Sequence, residues 1–523
     1  MPQNTIPDFI AELEWRGLLK DCTDTDGLRA HLADHENNPR KAYAGFDPTA
    51  DSLTIGNLVP IMCLAHFQRA GHHPVALMGG GTGLIGDPSG KSAERQLRTR
   101  DEIEGYINKQ RPIYAAVLGE EGKDFTLVNN ADWLCELSYL DALRDIGKHF
   151  SVNMMMQKES VRERLNTREQ GISYTEFSYM ILQAYDFAHL YQDAGITIQL
   201  GGSDQYGNIV AGTDLIRRRR SSALNTAIDA LKEFAVDSEI PIHEIDGAKY
   251  TIIEILQNLV DGSNTEGLEW AAAEVHRMIS DIEQLLAESK PTKPILSLRS
   301  MVGSIRSQIE LCFGLTAPLV QKADGGKFGK TETGAVWLTA ERTSPYAYYQ
   351  FWLNASDEDI PGFLRTFTFL SRDEVESIEA AHVAEPGRRE AQRRLAQEAT
   401  TILHGEAAML QAEAAGKALF SGEISGLDET TLNEVFASVP SSDHAKSELA
   451  GEGGGGVDPL VLLTAIGAIK SNREGREFLA NGSVSVNGVK IGPDDRLTEA
   501  NLLHGSLIAI RRGKKKWYLT RWA

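Results

Sequence analysis

Between residues 41 and 216 short apolar runs alternate with longer amphipathic ones, and this alternation most constrains the fold. It predicts buried strands at 42–46, 75–78, 125–129 and 196–200, and helices at 58–70, 139–150 and 175–191. Gly71 ends the first of these helices. Strands and helices in this order indicate an α/β fold with a Rossmann-like, doubly wound parallel sheet. In such a sheet, ligands bind at the carboxyl ends of the strands.

The remainder of the chain divides into segments that differ in composition and in hydrophobic pattern. A basic run at 217–220 and two strong helical stripes indicate a helical insertion at about 219–310. Amphipathic helix dominates 341–440, and a glycine-rich stretch at 451–456 is the clearest linker. After it come a hairpin signal at Asn487-Gly488 and a second hairpin that turns near Gly513. We predict an α/β domain at 1–340, a helical domain at 341–440, a flexible linker at 441–456 and a small α+β domain at 457–523.

The charge of the chain is unevenly distributed. Fifty-three Lys and Arg against 73 Asp and Glu give a net charge of −20, which argues against a protein that coats nucleic acid by bulk charge. Residues 455–523, however, hold 11 basic and 6 acidic side chains, a net of +5 that leaves −25 on the rest. A basic tail on an acidic body suggests a local contact with a polyanion, although a solvated basic face explains the charge equally well.

Composition also narrows the class and the compartment. No apolar run reaches the roughly 18–20 residues that a membrane span needs, and no secretory signal is visible at the N-terminus. The four cysteines are far apart and form no CxxC pair, so a disulfide framework or a zinc site is not expected. These features predict a cytoplasmic protein without a membrane segment.

One glycine motif invites a wrong assignment. Residues 81–86 match G-x-G-x-x-G, but a strand and a helix already precede them, and Pro88 and Gly90 interrupt any helix that follows. A Walker loop is not favoured either, because Ile85 stands where its first glycine belongs. The motif therefore remains a glycine-rich turn, near a nucleotide or near none.

Read as a series, the motifs resemble those of bacterial tyrosyl-tRNA synthetases, which are class I aminoacyl-tRNA synthetases. They are YAGFDPTADSLTIGN (43–57), GLIGDPSGK (83–91), DIGKHFSVN (145–153), YTEFSYMILQAYDF (174–187), GGSDQYGN (201–208), KADGGKFGKT (322–331), TSPYAYYQFW (343–352) and RRGKKKWYL (511–519). The resemblance spans nearly the whole chain except about 219–310. It implies that ATP activates L-tyrosine as tyrosyl-adenylate, with release of pyrophosphate, and that the tyrosyl group then passes to the 3′ end of tRNA(Tyr).

Activation places growing negative charge on phosphate oxygens, so the chemistry requires cations and hydrogen-bond donors there. By resemblance, the catalytic residues are Lys327, Lys330 and Thr331 in a cationic loop that closes on the pyrophosphate. The resemblance also implies a phosphate clamp completed by Lys91, Arg95 and Lys322.

The resemblance further implies separate sets of binding residues. The tyrosine pocket is carried by Tyr43, Tyr179, Gln183, Asp186 and Gln205. ATP is bound by Gly45, Asp47, Thr49, Thr54, Gly56, Asn57, Asp204 and Lys330. The tail resembles the small RNA-binding module of a ribosomal protein of the S-four type, with tRNA contacts at Arg473, Arg476, Arg511, Arg512, Lys514 and Lys515. Residues 179, 183 and 186 also share one helix face by their spacing.

The same resemblance implies a homodimer with one tRNA across both subunits. Magnesium accompanies ATP as substrate, and no fixed protein metal site is expected. The alternative is a catalytically impaired, synthetase-like RNA-binding protein. Its only support is Thr54, which stands first in the "HIGH"-type signature Thr54-Ile-Gly-Asn57. An oxidoreductase is a distant third interpretation.

Thr54 yields a test from sequence alone. Threonine is shorter than histidine and reaches less far toward the γ-phosphate, so we predict that Thr54→His speeds tyrosyl-adenylate formation. Pre-steady-state kinetics measure this rate, and a rate that is unchanged or lower in the variant would contradict the prediction.

Overall fold

The computed structural model describes residues 7–33, 35–86, 98–157, 161–162, 172–235, 242–245, 248–251, 311–326, 328–331, 334–436, 439–450, 455–513 and 516–523. The chain divides into two compact units, Met1–Gly329 and Lys330–Ala523. Each unit has its own main sheet.

The first unit is built on a six-stranded sheet of order β1-β8-β5-β2-β3-β4. Its strands, together with the separate β6–β7 hairpin, are β1 (Asp21–Cys22), β2 (Lys41–Phe46), β3 (His73–Met78), β4 (Thr126–Asn129), β5 (Ile198–Gly202), β6 (Ile242–Ile245), β7 (Ala248–Thr251) and β8 (Phe313–Ala317). All neighbours in the larger sheet are parallel except β1 and β8. The four predicted strands and the doubly wound parallel sheet are confirmed.

Helices cover the chain between these strands. They are α1 (Phe9–Arg16), α2 (Thr25–Leu32), α3 (Leu58–Arg69), α4 (Arg100–Leu118), α5 (Ala131–Leu134), α6 (Tyr139–Asp141), α7 (Val152–Gln157), α8 (Tyr174–Ala194) and α9 (Tyr206–Ala235). The predicted helices at 58–70 and 175–191 are confirmed as α3 and α8, and α3 gives way to Gly71 with φ of 86°. Across the ranges given above, no helix is both long and apolar enough to span a membrane.

One prediction in this unit needs correction. The predicted helix at 139–150 is instead three successive turns, namely α6, a π-helical turn Ala142–Ile146 and a 3₁₀ turn Gly147–His149. Leu140 and Leu143 are 75% and 45% exposed, so no continuous apolar face holds this segment as one regular helix. The basic run at 217–220 lies inside α9. The helical stripes expected at 252–285 lie outside the described residues.

The core of the first unit holds the central strands rigidly in place. Tyr43 and Val75 from the sheet pack with Phe187 of α8 and Leu215 of α9 in one buried cluster. On the other side, α3 is buried nearly all round because it contacts β2, β3 and β5. Both faces of β2 are therefore covered, which is typical of a parallel sheet and fixes the positions of the loops that follow its strands.

The second unit combines helices with a five-stranded sheet of order β11-β15-β14-β12-β13. Its helices are α10 (Pro345–Leu353), α11 (Ile360–Phe367), α12 (Arg372–Ala384), α13 (Glu390–Ser421), α14 (Glu429–Val435), α15 (Pro459–Ala465) and α16 (Asn472–Ala480). Its strands are β9 (Lys330–Thr331), β10 (Gly334–Ala335), β11 (Ser441–His444), β12 (Val484–Val486), β13 (Val489–Lys490), β14 (Leu507–Arg512) and β15 (Lys516–Trp522). A small α+β domain after the helices agrees with the predicted fold class.

The segment expected to open the linker is structured. Residues 441–444 form β11, which pairs in parallel with the edge of β15, and the His444 ring stacks on Trp522 at 4.7 Å between centroids. A polar run therefore became a strand because an unpaired sheet edge offered it hydrogen bonds. Both predicted hairpins are present, with Asn487 and Gly488 at φ of 49° and 88° in the first turn and Gly513 at 67° in the second.

Candidate active site

A cavity of about 770 Å³ lies in the first unit where the direction of strand order reverses. β3 follows β2 on one side and β5 lies on the other, so the carboxyl ends of β2 and β5 flank a crevice. The cavity is lined by twelve of the predicted tyrosine-binding and ATP-binding residues: Tyr43, Gly45, Asp47, Thr49, Thr54, Gly56, Asn57, Tyr179, Gln183, Asp186, Asp204 and Gln205. All five predicted tyrosine-binding residues and seven of the eight predicted ATP-binding residues therefore line one cavity.

Of the residues predicted to hold the phosphates, Lys322, Lys330 and Thr331 are among those that the structure describes. Lys91, Arg95 and Lys327 lie outside them. Lys330 and Thr331 form β9 at the start of the second unit. Lys322 belongs to the first unit and accepts the backbone N–H of Gly325 at its carbonyl, 2.9 Å away, but it is not among the residues that line the cavity.

Asp186 is the buried acid of the cavity, with only 2% of its surface exposed. Its Oδ2 accepts a hydrogen bond from Asn130 Nδ2 and its Oδ1 accepts one from Trp133 Nε1, both at 2.8 Å. Burial raises the pKa of this carboxyl to about 7, with a smaller contribution from the charge of Asp47, while the two donated hydrogen bonds act in the opposite direction. The result is a carboxyl group held in one orientation and poised to change charge near neutral pH.

Asn130 connects this acid to the rest of the site. Its Oδ1 accepts the backbone N–H of Gly81 at 2.7 Å, and since an N–H can only donate, the orientation of the amide is fixed. Its Nδ2 then donates to both Asp186 and Thr82 Oγ1, the latter at 3.0 Å. Thr82 donates onward to Asp47 Oδ1 at 2.8 Å. Asn130 is fully buried and Thr82 is 3% exposed, so solvent does not compete with this chain of hydrogen bonds.

Asp47 joins the two halves of the cavity. Its Oδ2 accepts the hydroxyl of Tyr179 at 2.9 Å, while its Oδ1 accepts Thr82. A residue predicted to flank the nucleotide therefore also holds a residue predicted for the amino acid. Sequence analysis did not find Asn130, Thr82 or Trp133. The available signal was position, because Asn130 directly follows β4 and Thr82 comes soon after β3.

Gly79 and Gly80 join the end of β3 to the glycine-rich turn at 81–86. A Cβ on Gly79 would lie 2.2 Å from Asp47 Oδ1, and one on Gly80 would lie 2.1 Å from Asn129 Oδ1. Because glycine has no side chain, the backbone after β3 can approach these two groups closely. The two glycines therefore leave room for the hydrogen-bond network around Asp47.

Tyr43 lies at the Asp186 end of the cavity. Its side chain is fully buried, and its hydroxyl finds no hydrogen-bond partner within the described ranges. Burial, and then the charge of Asp186, raise its pKa well above the ordinary value, so the phenol stays protonated. A buried hydroxyl without a partner is costly in free energy, and a ligand with a polar atom at this position would satisfy it.

A second network of hydrogen-bonded side chains surrounds Gln183. Asn208 Nδ2 donates to Gln183 Oε1 at 3.0 Å and to Gln205 Oε1 at 3.2 Å. Gln205 Nε2 in turn donates to Asp204 Oδ2 at 3.1 Å. Asn208 on α9 therefore orients two predicted residues that come from different elements, although sequence analysis gave it no role.

The signature Thr54-Ile-Gly-Asn57 forms a 3₁₀ turn, Ile55–Asn57, before α3. Asn57 Oδ1 accepts the backbone N–H of Thr54 at 3.1 Å and its hydroxyl at 2.9 Å. These two donors fix the amide so that its oxygen faces Thr54, which leaves Nδ2 for a ligand in the cavity. Thr54 therefore orients Asn57. Comparing threonine with the histidine of the "HIGH"-type signature did not reveal this role.

The loop that leads to Lys330 packs against this signature. Gly329 has φ of 74°, and a Cβ there would lie 2.5 Å from Ile55 Cγ2. Ile55 is fully buried, so the backbone of the loop at Gly329 closes over it. Glycine is required at this position by both the conformation and the contact.

The predicted tRNA contacts of the second unit differ in their surroundings. Arg473 and Arg476 are exposed on α16. The Arg511 guanidinium lies 5.4 Å from the centre of the Trp517 ring, and that of Arg512 lies 5.3 Å from Phe478 and donates to the carbonyl of Ala468. Arg511 and Arg512 therefore also stabilise the fold. Lys514 and Lys515 lie outside the described residues.

Comparison with known proteins agrees with this geometry. Residues 35–239 and 292–421 match the family model "tRNA synthetases class I (W and Y)", and residues 432–520 match "Tyrosine--tRNA ligase SYY-like C-terminal domain". A tyrosine–tRNA ligase of Bacillus caldotenax is 41% identical over 520 residues, covering 99% of this chain and 100% of the relative. One from Aliivibrio fischeri (strain MJ11) is 39% identical over 519 residues, covering 98% and 99%.

A solved structure is also similar in fold. The C-terminally truncated mitochondrial tyrosyl-tRNA synthetase of Aspergillus nidulans superposes with a TM-score of 0.56 at 24% identity, covering 79% of this chain and 94% of that one. At this identity the likeness concerns the fold alone.

The raised pKa of Asp186 makes stability depend on pH. Between the ordinary value of 3.8 and about 7, the folded chain keeps a proton that the unfolded chain releases, so stability falls as pH rises through this window. We predict that the melting temperature of the wild type, relative to Asp186→Asn, drops by about 5 °C from pH 5 to pH 8. Calorimetry of both proteins at pH 5 and at pH 8 measures this change in melting temperature. Loss of one hydrogen bond in the variant adds only a constant offset, so a difference that does not vary with pH would contradict the prediction.

Proposed function

The chain belongs to the class I tRNA synthetases of the tryptophan and tyrosine type, and on this premise we propose that it attaches L-tyrosine to tRNA(Tyr) with ATP. The observation that carries the proposal is the single cavity that holds a buried carboxyl and a buried phenol at one end and the Asn57 amide among its lining residues. The enzyme is a tyrosine–tRNA ligase that works in two steps, adenylate formation and then transfer.

The selection of tyrosine rests on Tyr43 and Asp186. The phenolic hydroxyl of the substrate donates to Asp186. The hydrogen bonds that Asn130 and Trp133 donate to Asp186 hold its carboxylate in place. Phenylalanine offers no such group, so its binding would leave buried polar atoms unpaired. Tyrosyl-tRNA synthetases as a family are known to reject phenylalanine in this way without an editing step. Tyr179, Gln183 and Gln205 hold the amino-acid part of the substrate.

The nucleotide occupies the remainder of the cavity. Gly56 allows the adenine to approach the backbone, Asn57 donates from Nδ2, and Asp204 accepts from the ribose. The tyrosine carboxylate then attacks the α-phosphate, a P–O bond forms, and the bond to pyrophosphate breaks. Lys327 and Lys330, with Lys91 and Arg95, neutralise the leaving pyrophosphate, and the Thr331 hydroxyl donates a hydrogen bond to it. Magnesium enters with ATP and balances its phosphate charge.

The proposal assigns RNA binding to the second unit. In the second step a hydroxyl of the 3′-terminal ribose of tRNA attacks the tyrosyl carbonyl and releases AMP. The basic residues 455–523 contact tRNA phosphates, with Arg473 and Arg476 exposed for this role. The reaction is assigned to the cytoplasm, an assignment supported by four cysteines that are free in the structure.

A homodimer is part of the same proposal. Exposed apolar side chains cluster along 139–156 and at Tyr174, whose side chain is hydrogen-bonded to that of Tyr139. They are Tyr139, Leu140, Leu143, Val152, Met154, Met156 and Tyr174, between 45% and 75% exposed. An apolar surface of this kind favours association with a second copy of the chain.

Exchange of pyrophosphate with ATP, measured across the amino acids, tests the proposed function. We expect exchange with tyrosine and essentially none with phenylalanine, because only tyrosine satisfies Tyr43 and Asp186. A folded protein that binds tRNA but supports exchange with no amino acid would overturn the proposal and favour the catalytically impaired alternative.

The RNA-binding role has its own test. We predict that the double variant Arg473→Ala/Arg476→Ala lowers kcat/KM for tRNA charging by about tenfold and reduces the salt slope of tRNA binding by about 2. Pyrophosphate exchange should be unchanged, because these residues lie in the other unit. A double variant of Arg372 and Arg388, exposed cations that pair with Glu376 and Glu385 on helical segments of the same unit, is the matched control. An equal loss in both double variants would contradict a specific role for α16.

A further inference from the structure

Trp133, one of the two donors to Asp186, lies on a helix that does little to hold it. This helix, α5, has only four residues, Ala131–Leu134, and none of them is buried. A helix so short gains little from its own hydrogen bonds, so packing must fix the orientation of its side chains. The indole packs against the buried cluster that contains Phe187, and its Nε1 donates to Asp186 Oδ1 at 2.8 Å. Any contact that restrains the indole therefore also restrains the donor to Asp186.

The imidazole of His189 makes such a contact. Its ring centroid lies 4.5 Å from that of the Trp133 ring and the two planes are 27° from parallel, so the rings stack. His189 lies on α8 three positions after Asp186, and residues with this spacing are neighbours on a helix surface. One helix thus supplies both the acid of the cavity and the ring that packs on one of its donors.

His189 is itself held in a fixed orientation. Its Nδ1 lies 2.8 Å from Asp193 Oδ2, and since a carboxylate oxygen can only accept, the ring nitrogen donates. The ring of Tyr185 lies 6.2 Å away between centroids, and only 26% of the His189 side chain is exposed. The imidazole is therefore a firm surface for the indole to rest on.

The groups around the stack keep His189 neutral near pH 7.5. Burial lowers the pKa of His189 below its ordinary value, the charge of Asp193 raises it, and the charge of Arg219 on α9 lowers it. The effect of His189 on Asp186 therefore comes from the position of the indole, because the imidazole carries no charge of its own in this range.

We propose that His189 is a positioning residue for tyrosine recognition, because its stacked ring keeps the Trp133 N–H on Asp186 while the substrate phenol donates to the same carboxylate. Without the stack the indole can turn away, and Asn130 remains as the donor that holds Asp186. This inference rests on the proposed function and extends it to a side chain behind the pocket lining.

Replacement of the imidazole tests the inference. In His189→Ala we expect KM for tyrosine, measured by pyrophosphate exchange at pH 7.5, to rise about 3- to 10-fold, which is what the loss of one aromatic stack can cause. KM for ATP and kcat should not change, because Asp186 contacts the phenol equally in the bound substrate and in the transition state. His189→Phe keeps a flat ring against the indole and should restore the wild-type KM for tyrosine.

The pH profile adds a readout that a general loss of stability would not move. The hydrogen bond from Trp133 lowers the pKa of Asp186, so its loss lets the carboxyl keep its proton to higher pH. Because the charged carboxylate is the stronger acceptor for the phenol, the pH below which KM for tyrosine rises should be higher in His189→Ala than in His189→Phe. Neither variant has an imidazole, so titration of His189 does not enter the comparison. Both variants also keep the other titratable groups that face Asp186, among them Asp47, Tyr43 and Tyr185.

His72 provides a matched control in the same unit. Its ring stacks on Phe67 with centroids 4.7 Å apart and planes 26° from parallel, which is nearly the geometry found at Trp133. His72 is buried and does not line the cavity. His72→Ala should therefore lower the melting temperature and leave both KM for tyrosine and its pH profile unchanged.

The outcomes separate this inference from the function beneath it. An unchanged KM for tyrosine in His189→Ala, with exchange intact in the wild type, overturns the role of His189 alone, whereas absence of exchange in the wild type overturns the proposed function. A rise that persists in His189→Phe, or that appears equally in His72→Ala, also overturns the inference. If His189→Ala does not fold, His189→Leu decides by the same comparison with His189→Phe, because leucine fills the space without a ring.

Discussion

The candidate site depends on keeping a carboxyl group buried at Asp186. An isolated buried charge is very unfavourable, so the chain surrounds this group with donors from two other positions, Asn130 and Trp133. Asn130 is fixed in turn by the backbone after β3, and Thr82 passes the network on to Asp47. The requirements of one acid thereby position the ends of β2, β3 and β4 relative to α8. The twelve cavity residues take their places around this arrangement.

Sequence predicted the elements and the residues that line the cavity better than it predicted the contacts between them. The strands were predictable because each is a short apolar run between turn residues, and the lining residues were predictable because the motifs are distinctive. Asn130, Thr82 and Asn208 were missed because an Asn or a Thr indicates no particular chemistry until its partners are known. Those partners come from elements far away in the chain, as in the Asn130–Thr82 hydrogen bond, which joins residues 48 positions apart.

The error at residues 441–444 has the same physical origin. Residues 441–444 look like a linker in isolation, and they became a strand only because β15 presented an open edge. Arg511 and Arg512 count as positive charge in the sequence, yet aromatic rings and a backbone carbonyl engage them in the fold. Composition reports the charge that a segment carries, whereas the three-dimensional structure decides how much of it is available to a partner.

The Asn130 amide has a consequence for anyone who wishes to redesign this pocket for other amino acids. Asp186 and Thr82 both receive hydrogen bonds from its Nδ2, and Gly81 locks its orientation. Replacing Asp186 by an apolar residue would therefore strand two donors in a dry interior, those of Asn130 and Trp133. A library that varies Asp186 alone samples mostly frustrated variants, whereas one that varies positions 130, 133 and 186 together can remove donors and acceptor in the same step. The useful unit of redesign is the network.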